Sequence, residues 1–236
     1  MGQDIARQLV TQLQNRDAEI IEVDTDGVYF VVPSGIGTEE DEHRFIEEVS
    51  GELPRGIQLS HDGRYRGMIS LKAKNYILIG YDDVLTVKGS SLRSRRDERI
   101  FRSFIEHLAH LLIDGKTEEA SADYLSLAAR LQEGQIPPKH FCRWERITEK
   151  TFSNPNLRRL AAAAKGGKIG EKIAVYQKRD GSLARIETYA EDEDRDYLLR
   201  RLHDMAGRFR SLFGDAEFRR LFPLVQKPAE EQLSLF

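Results

Sequence analysis

The chain has 236 residues and a mass of 27.1 kDa, with 36 Lys+Arg against 39 Asp+Glu, 40% hydrophobic residues and a mean hydropathy of −0.52. No apolar run approaches the ~18 to 20 residues of a bilayer crossing, and no basic-then-apolar start resembles a signal peptide. One cysteine excludes an internal disulfide, so a cytoplasmic protein of one or two domains, with no membrane partner, is expected.

The net charge of −3 hides a segregation along the chain. Residues 15–54 hold 12 acids and 2 bases, 55–102 hold 11 bases and 5 acids, and 139–179 hold 11 bases and 3 acids. Two basic blocks suit a surface that tracks phosphates, and they also suit helices facing water.

Ile5, Leu9 and Leu13 recur every fourth residue and predict a short amphipathic helix over 4–15. The period then changes. AEIIEV and GVYFVV are β-branched and aromatic runs on either side of Asp24-Thr25-Asp26-Gly27, a strand-turn-strand signal. Residues 39–51 read as an acidic helix burying Phe45, Ile46 and Val49, and MISLK, NYILIGY and VLTVK follow as three short strands. The first region, 1–96, is expected to be mixed α+β with a largely antiparallel sheet.

From Asp97 the pattern turns helical. Ile100, Phe101, Phe104, Ile105, Leu108, Leu111 and Leu112 form one stripe, with Asp97 as the expected N-cap and Gly115 at the stop. A second helix is expected over 117–133 up to Gly134, and Pro137-Pro138 forces a break. A third is expected over 155–165 after Asn154-Pro155, followed by a KIAVYQ/LARIE hairpin and a last long helix over 194–213. The six histidines show no zinc spacing, Cys142 near His140 reads as structural, and His107 and His110 read as surface or core residues.

Asp24 and Asp26 sit two residues apart between two apolar strands, a spacing that puts both carboxylates on one face of extended backbone. Such a pair can hold Mg²⁺ through oxygen while leaving room for substrate phosphates, and paired ions suit phosphoryl transfer. The same two aspartates also suit a tight turn, because each can bond its own backbone.

The segment Glu22-Val23-Asp24-Thr25-Asp26-Gly27 resembles motif C of the family B DNA polymerases, Y-G-D-T-D-S between two apolar strands. Four further segments resemble that family in the same order. They are Ala73-Lys74-Asn75-Tyr76 for its Lys-Lys-x-Tyr strand, Lys88-Gly89 with Arg95-Arg96-Asp97 at the start of the thumb, the GGKIGEKIAVYQ hairpin, and the last helix with its tyrosine. The resemblance runs from about residue 4 to 225. It implies a partial palm with an antiparallel sheet over 1–96, a mainly helical thumb over 97–225 and a flexible tail over 226–236.

By that resemblance Asp24 and Asp26 are catalytic and bind Mg²⁺, with Asp26 the firmer ligand. Lys74, Tyr76, Lys88, Gly89, Arg95 and Arg96 approach primer-template DNA. Motifs A and B, which carry the third aspartate and the nucleotide-binding lysine, have no counterpart here, and there is no room for the exonuclease domain. The implied protein is a small subunit that acts as a DNA polymerase only with a large subunit carrying those motifs, Met1 falling at a reasonable split point.

Gly27 stands where the family has serine, Glu22-Val23 replaces Tyr-Gly and Ala73 replaces a lysine. A non-catalytic DNA-binding and clamp-tethering module therefore stays open beside the catalytic reading, as does an unrelated palm-like enzyme such as a nucleotidyl cyclase. The final Gln232-Leu233-Ser234-Leu235-Phe236 is similar to the Q-L-[SD]-L-F peptide of bacterial polymerases and repair proteins, and implies a bacterial sliding clamp as a further partner.

Overall fold

The computed structural model describes residues 2–24, 27–89 and 97–225, and the chain divides into two compact units, Met1–Lys88 and Gly89–Phe236. Among the described residues no helix is long and apolar enough to cross a membrane.

In the first unit α1 (Gly2–Gln14) leads into a two-stranded antiparallel sheet, β1 (Glu19–Val23) and β2 (Val28–Val31). The acidic helix α2 (Glu39–Gly51) follows. Thr38 caps it by accepting a hydrogen bond from the Asp41 N–H, and four acids in the first turn suit the positive end of the helix dipole. Leu13, Ala18, Phe45 and Val49 form the core, with Leu9, Ile20, Val28, Phe30 and Leu59 packed on it. A second sheet, ordered β3 (Gly67–Lys72), β4 (Asn75–Ile79), β5 (Leu85–Lys88), is antiparallel throughout. The strands expected from the sequence are all present, but they make two sheets rather than one.

The second unit opens with α3 (Arg99–Ile113) and α4 (Thr117–Glu133). Gly134 ends α4 in the left-handed region at φ 73°, where an added Cβ would also run into the Arg195 guanidinium. The short α5 (Pro138–Phe141) begins at the second proline of the expected break, with proline at its first position. Next come β6 (Arg143–Arg146), α6 (Glu149–Ser153), a 3₁₀ turn at Pro155–Leu157 capped by Asn154, and α7 (Arg158–Ala163). The expected hairpin is β7 (Lys172–Gln177) and β8 (Leu183–Arg185), but β6 pairs with β7 to make three strands, and Leu160 of α7 with Ala164 just past its end packs on Ile173 and Val175. The last long helix is shorter than expected: α8 (Arg195–Gly207) stops before a 3₁₀ turn, and α9 (Asp215–Leu221) follows. Tyr124 on α4 packs its ring edge-on to Phe222 at 5.4 Å and donates its hydroxyl to the Pro223 carbonyl at 2.6 Å, which fastens the end of α9.

Asp97 is not an N-cap. Glu98 holds that position, its side chain making no bond to the helix amides, while the buried Asp97 carboxylate accepts from Arg201 and Arg208, each at 3.0 Å. Two arginines separated from it by about a hundred residues outbid the adjacent helix amides because a buried carboxylate gains most from charged donors. Glu98, also buried, accepts from the Tyr197 hydroxyl at 3.1 Å. Removing this buried carboxylate takes a charged partner from both guanidinium groups, Arg201 keeping Glu98 at 3.5 Å, so Asp97→Ala is expected to cost about 3 kcal/mol in urea unfolding. Asp215→Ala, which breaks an exposed pair with Arg210, is expected to leave the midpoint unchanged.

Candidate functional site

Asp24 lies just past β1, and its N–H donates to the Gly27 carbonyl at 2.9 Å, closing the turn. Its carboxylate meets the Lys74 ammonium at 3.5 Å. Lys74 reaches it from the two-residue turn between β3 and β4, where Lys72 pairs with Asn75 and Lys74 itself has φ 61°. A lysine in the left-handed region costs roughly 1 kcal/mol or more, and Gly would have avoided it, so the side chain is retained at the expense of backbone strain.

The register places Ser70 and Lys88 on either side of Tyr76, so these three residues form one row on the same face of the second sheet. Ser70 donates to Glu22 at 2.6 Å. Tyr76 is buried, its hydroxyl is 3.2 Å from that of Tyr29, and the two rings meet edge-on at 5.2 Å. Burial, the Tyr29 contact and the Asp24 charge and hydrogen bond all push the Tyr76 phenol well above its ordinary range. The polar row thus joins the β1–β2 turn to the second sheet.

Of the residues singled out in the sequence, Asp24, Lys74 and Tyr76 come together. Lys88 is exposed at the end of the same row, and Gly89 follows at φ 93°. Asp26, Arg95, Arg96 and the pentapeptide Gln232, Leu233, Ser234, Leu235 and Phe236 lie outside the described residues. Gly27 has open space where a side chain would start, so packing does not forbid the serine found in motif C.

Sequence reasoning missed a second cluster. Within the second unit, Arg99 and Arg102 of α3, Lys139 of α5, and Arg143 and Trp144 of β6 line a pocket of about 200 Å³ beside Asp97 and Cys142. Arg99 and Arg102 belong to the first basic block of the sequence, and Lys139 and Arg143 to the second. Trp144 is 60% exposed, and an exposed aromatic ring among guanidinium groups can take both the phosphates and the bases of a nucleic acid. Burial pushes the Cys142 thiol up and away from nucleophilic or metal chemistry.

No protein-family model matches the chain. Its sequence is similar to archaeal DNA polymerases. Identity is 24% over 148 residues with that of Pyrococcus horikoshii, covering 58% of this chain and 11% of the relative. It is 24% over 209 residues with that of Methanocaldococcus jannaschii, covering 83% and 13%. With that of Desulfurococcus sp. it is 23% over 210 residues, covering 74% and 26%. Among solved structures, the family B DNA polymerase of Pyrobaculum calidifontis matches with a TM-score of 0.70 at 17% identity, over 90% of this chain and 29% of that one. The fold is that of a family B DNA polymerase segment. The polymerase-like chain spans only 11% to 26% of these three curated relatives.

The Tyr76 environment has a measurable pH signature. Its folded phenol ionises at a higher pH than the unfolded one, so its contribution is complete below about pH 10 and is lost as pH rises beyond that value. Tyr76→Phe is expected to cost about 1 kcal/mol at pH 7. It should also flatten the fall in stability between about pH 10 and 12, followed by urea unfolding.

Proposed function

We propose that this chain supplies the motif C carboxylates of a palm, within residues 1–96, and a duplex-holding thumb, within 97–225, to a DNA polymerase completed by a large subunit carrying motifs A and B. The observation that carries the reading is the turn after β1, where Asp24 stands against Lys74 and Tyr76 at one end of a polar row that Lys88 continues. The matching fold supports it.

Asp24 and Asp26 would hold Mg²⁺, whose role there is to offset charge while a phosphoryl group is transferred. The donor set fits: carboxylate oxygens suit this hard cation, and Lys74, on a flexible stem and 67% exposed, can withdraw to a DNA phosphate as the ion arrives. Lys74, Lys88, Gly89, Arg95, Arg96 and the pocket around Trp144 would hold primer-template DNA through its backbone, with Tyr76 fixing the turn that presents Lys74. Gln232 to Phe236 would tether the assembly to a bacterial sliding clamp and keep it near its primer by effective concentration in the cytoplasm.

The Asp24–Lys74 contact favours a second reading as well, because an ammonium 3.5 Å away already balances the carboxylate. On that reading the chain is a non-catalytic module that binds DNA and the clamp.

Primer extension separates the two. The catalytic reading expects no synthesis by the isolated chain, synthesis on mixing with the large subunit, loss of that synthesis in Asp26→Ala and a milder loss in Asp24→Ala. Full activity of the mixture with Asp26→Ala would leave only the accessory reading. DNA affinity is expected to fall steeply with salt, and neutralising Lys74 and Lys88 together should reduce the log–log slope by up to about two units. Deleting residues 232–236 should abolish clamp binding in calorimetry with naked-DNA affinity unchanged.

A further inference from the structure

Two histidines that are 18 positions apart in the sequence meet on the acidic helix. His43, one turn after Glu39 on α2, packs against His61 with ring centroids 4.6 Å apart and the rings tilted by 45°. Donor atoms of Glu39, His43 and His61 all lie within 4.8 Å of one another, and the His43 Nε2 is 3.9 Å from the Glu39 carboxylate. Adjacent ligands of a tetrahedral Zn²⁺ are about 3.3 Å apart at its usual bond lengths, so a rotamer adjustment of exposed side chains closes the set. The less exposed His61 has its Nε2 3.3 Å from Glu42, which also pairs with the Arg64 guanidinium at 2.8 Å. A carboxylate bound to one ring nitrogen leaves the other for a metal and fixes the ring's direction.

We propose that Glu39, His43 and His61 form a binding site for a divalent transition metal of the Zn²⁺ class, with Glu42 as the positioning residue and water completing the shell. Two imidazoles and one carboxylate select such an ion over Mg²⁺, which takes oxygen. The site shares no residue with the Asp24 turn. Its effect is structural: residues 52–66 form no helix or strand and are held to α2 by bonds such as that from the Leu59 N–H to the Ser50 hydroxyl. A metal joining His61 to α2 pins the far end of that long connection.

The test is a calorimetric titration of Zn²⁺ into the metal-stripped full chain, with millimolar Mg²⁺ present to occupy oxygen-only sites. One site of micromolar or tighter affinity is expected, weakened at least about tenfold in His43→Gln and in His61→Gln. Co²⁺ in place of Zn²⁺ should give the intense visible bands of a four-coordinate site, and His43→Gln should lose them. Absence of binding, or equal affinity in wild type and both variants, overturns the proposal. His43 is exposed on the helix surface, so its variant remains decisive should His61→Gln fail to fold, which circular dichroism would reveal.

Discussion

The seam between the β1–β2 hairpin and the second sheet governs the chemistry of the first unit. A two-stranded ribbon is marginal by itself and must be held on both sides. One side is apolar, with Ile20, Val28 and Phe30 on the α1–α2 core. The other is polar, with Glu22 on Ser70, Tyr29 on Tyr76 and Asp24 on Lys74. Only the last of these lies at the turn, and only it involves an exposed, flexible partner. If Lys74 leaves Asp24, two polar contacts and the apolar face still hold the hairpin. Lys74 can therefore leave Asp24 while the hairpin keeps its other contacts, the hydrogen bond between Asp24 and Tyr76 among them.

The same seam revises the meaning of the charge pattern. An acidic block followed by a basic one reads, along the sequence, as a surplus of cations for an external polyanion. Folding brings part of each block against the other: Lys74 meets Asp24, and Arg64 meets Glu42 while lying 5.2 Å over the Tyr81 ring. Arg66 is held by Asp83 of its own block. In the fold each of these cations is paired with a carboxylate. Lys88, at the exposed end of the row, has a different place in the fold, and proximity in sequence does not distinguish it from the others.

Much of the architecture was legible because short-range signals agreed. Alternating β-branched runs around Asp24–Gly27 and around the Ala73-Lys74 turn specify hairpins, and Gly134 and Asn154 mark a helix end and a cap. The misses have physical causes. RWER carries no apolar alternation, and its Trp144 points outward, so β6 had no core signal and becomes a strand only through β7. Asp97 precedes a helix and looks like a cap, but its partners lie on α8 and just beyond it, out of reach of a local reading. The order of motifs brought Asp24, Lys74 and Tyr76 to notice, whereas their mutual contact, and that of His43 with His61, follow from tertiary packing.

In the second unit, carboxylates sort the arginines into two groups. Arg201 and Arg208 are tied to Asp97, and Arg185 bonds the Ala163 carbonyl and Glu171. These groups bind the fold together, and a DNA phosphate would have to displace a partner to use them. Arg99 and Arg102 stand on the helix that Asp97 precedes, facing the pocket with Lys139, and the buried Arg102 Nε finds no hydrogen-bond partner among the described residues. The Asp97 network thus performs two tasks at once. It neutralises the arginines nearest the helix base, and it fixes α3 so that its remaining cations face Trp144. A polyanion attracted to the unit would settle where positive charge is uncommitted, and the tryptophan ring is placed at that spot.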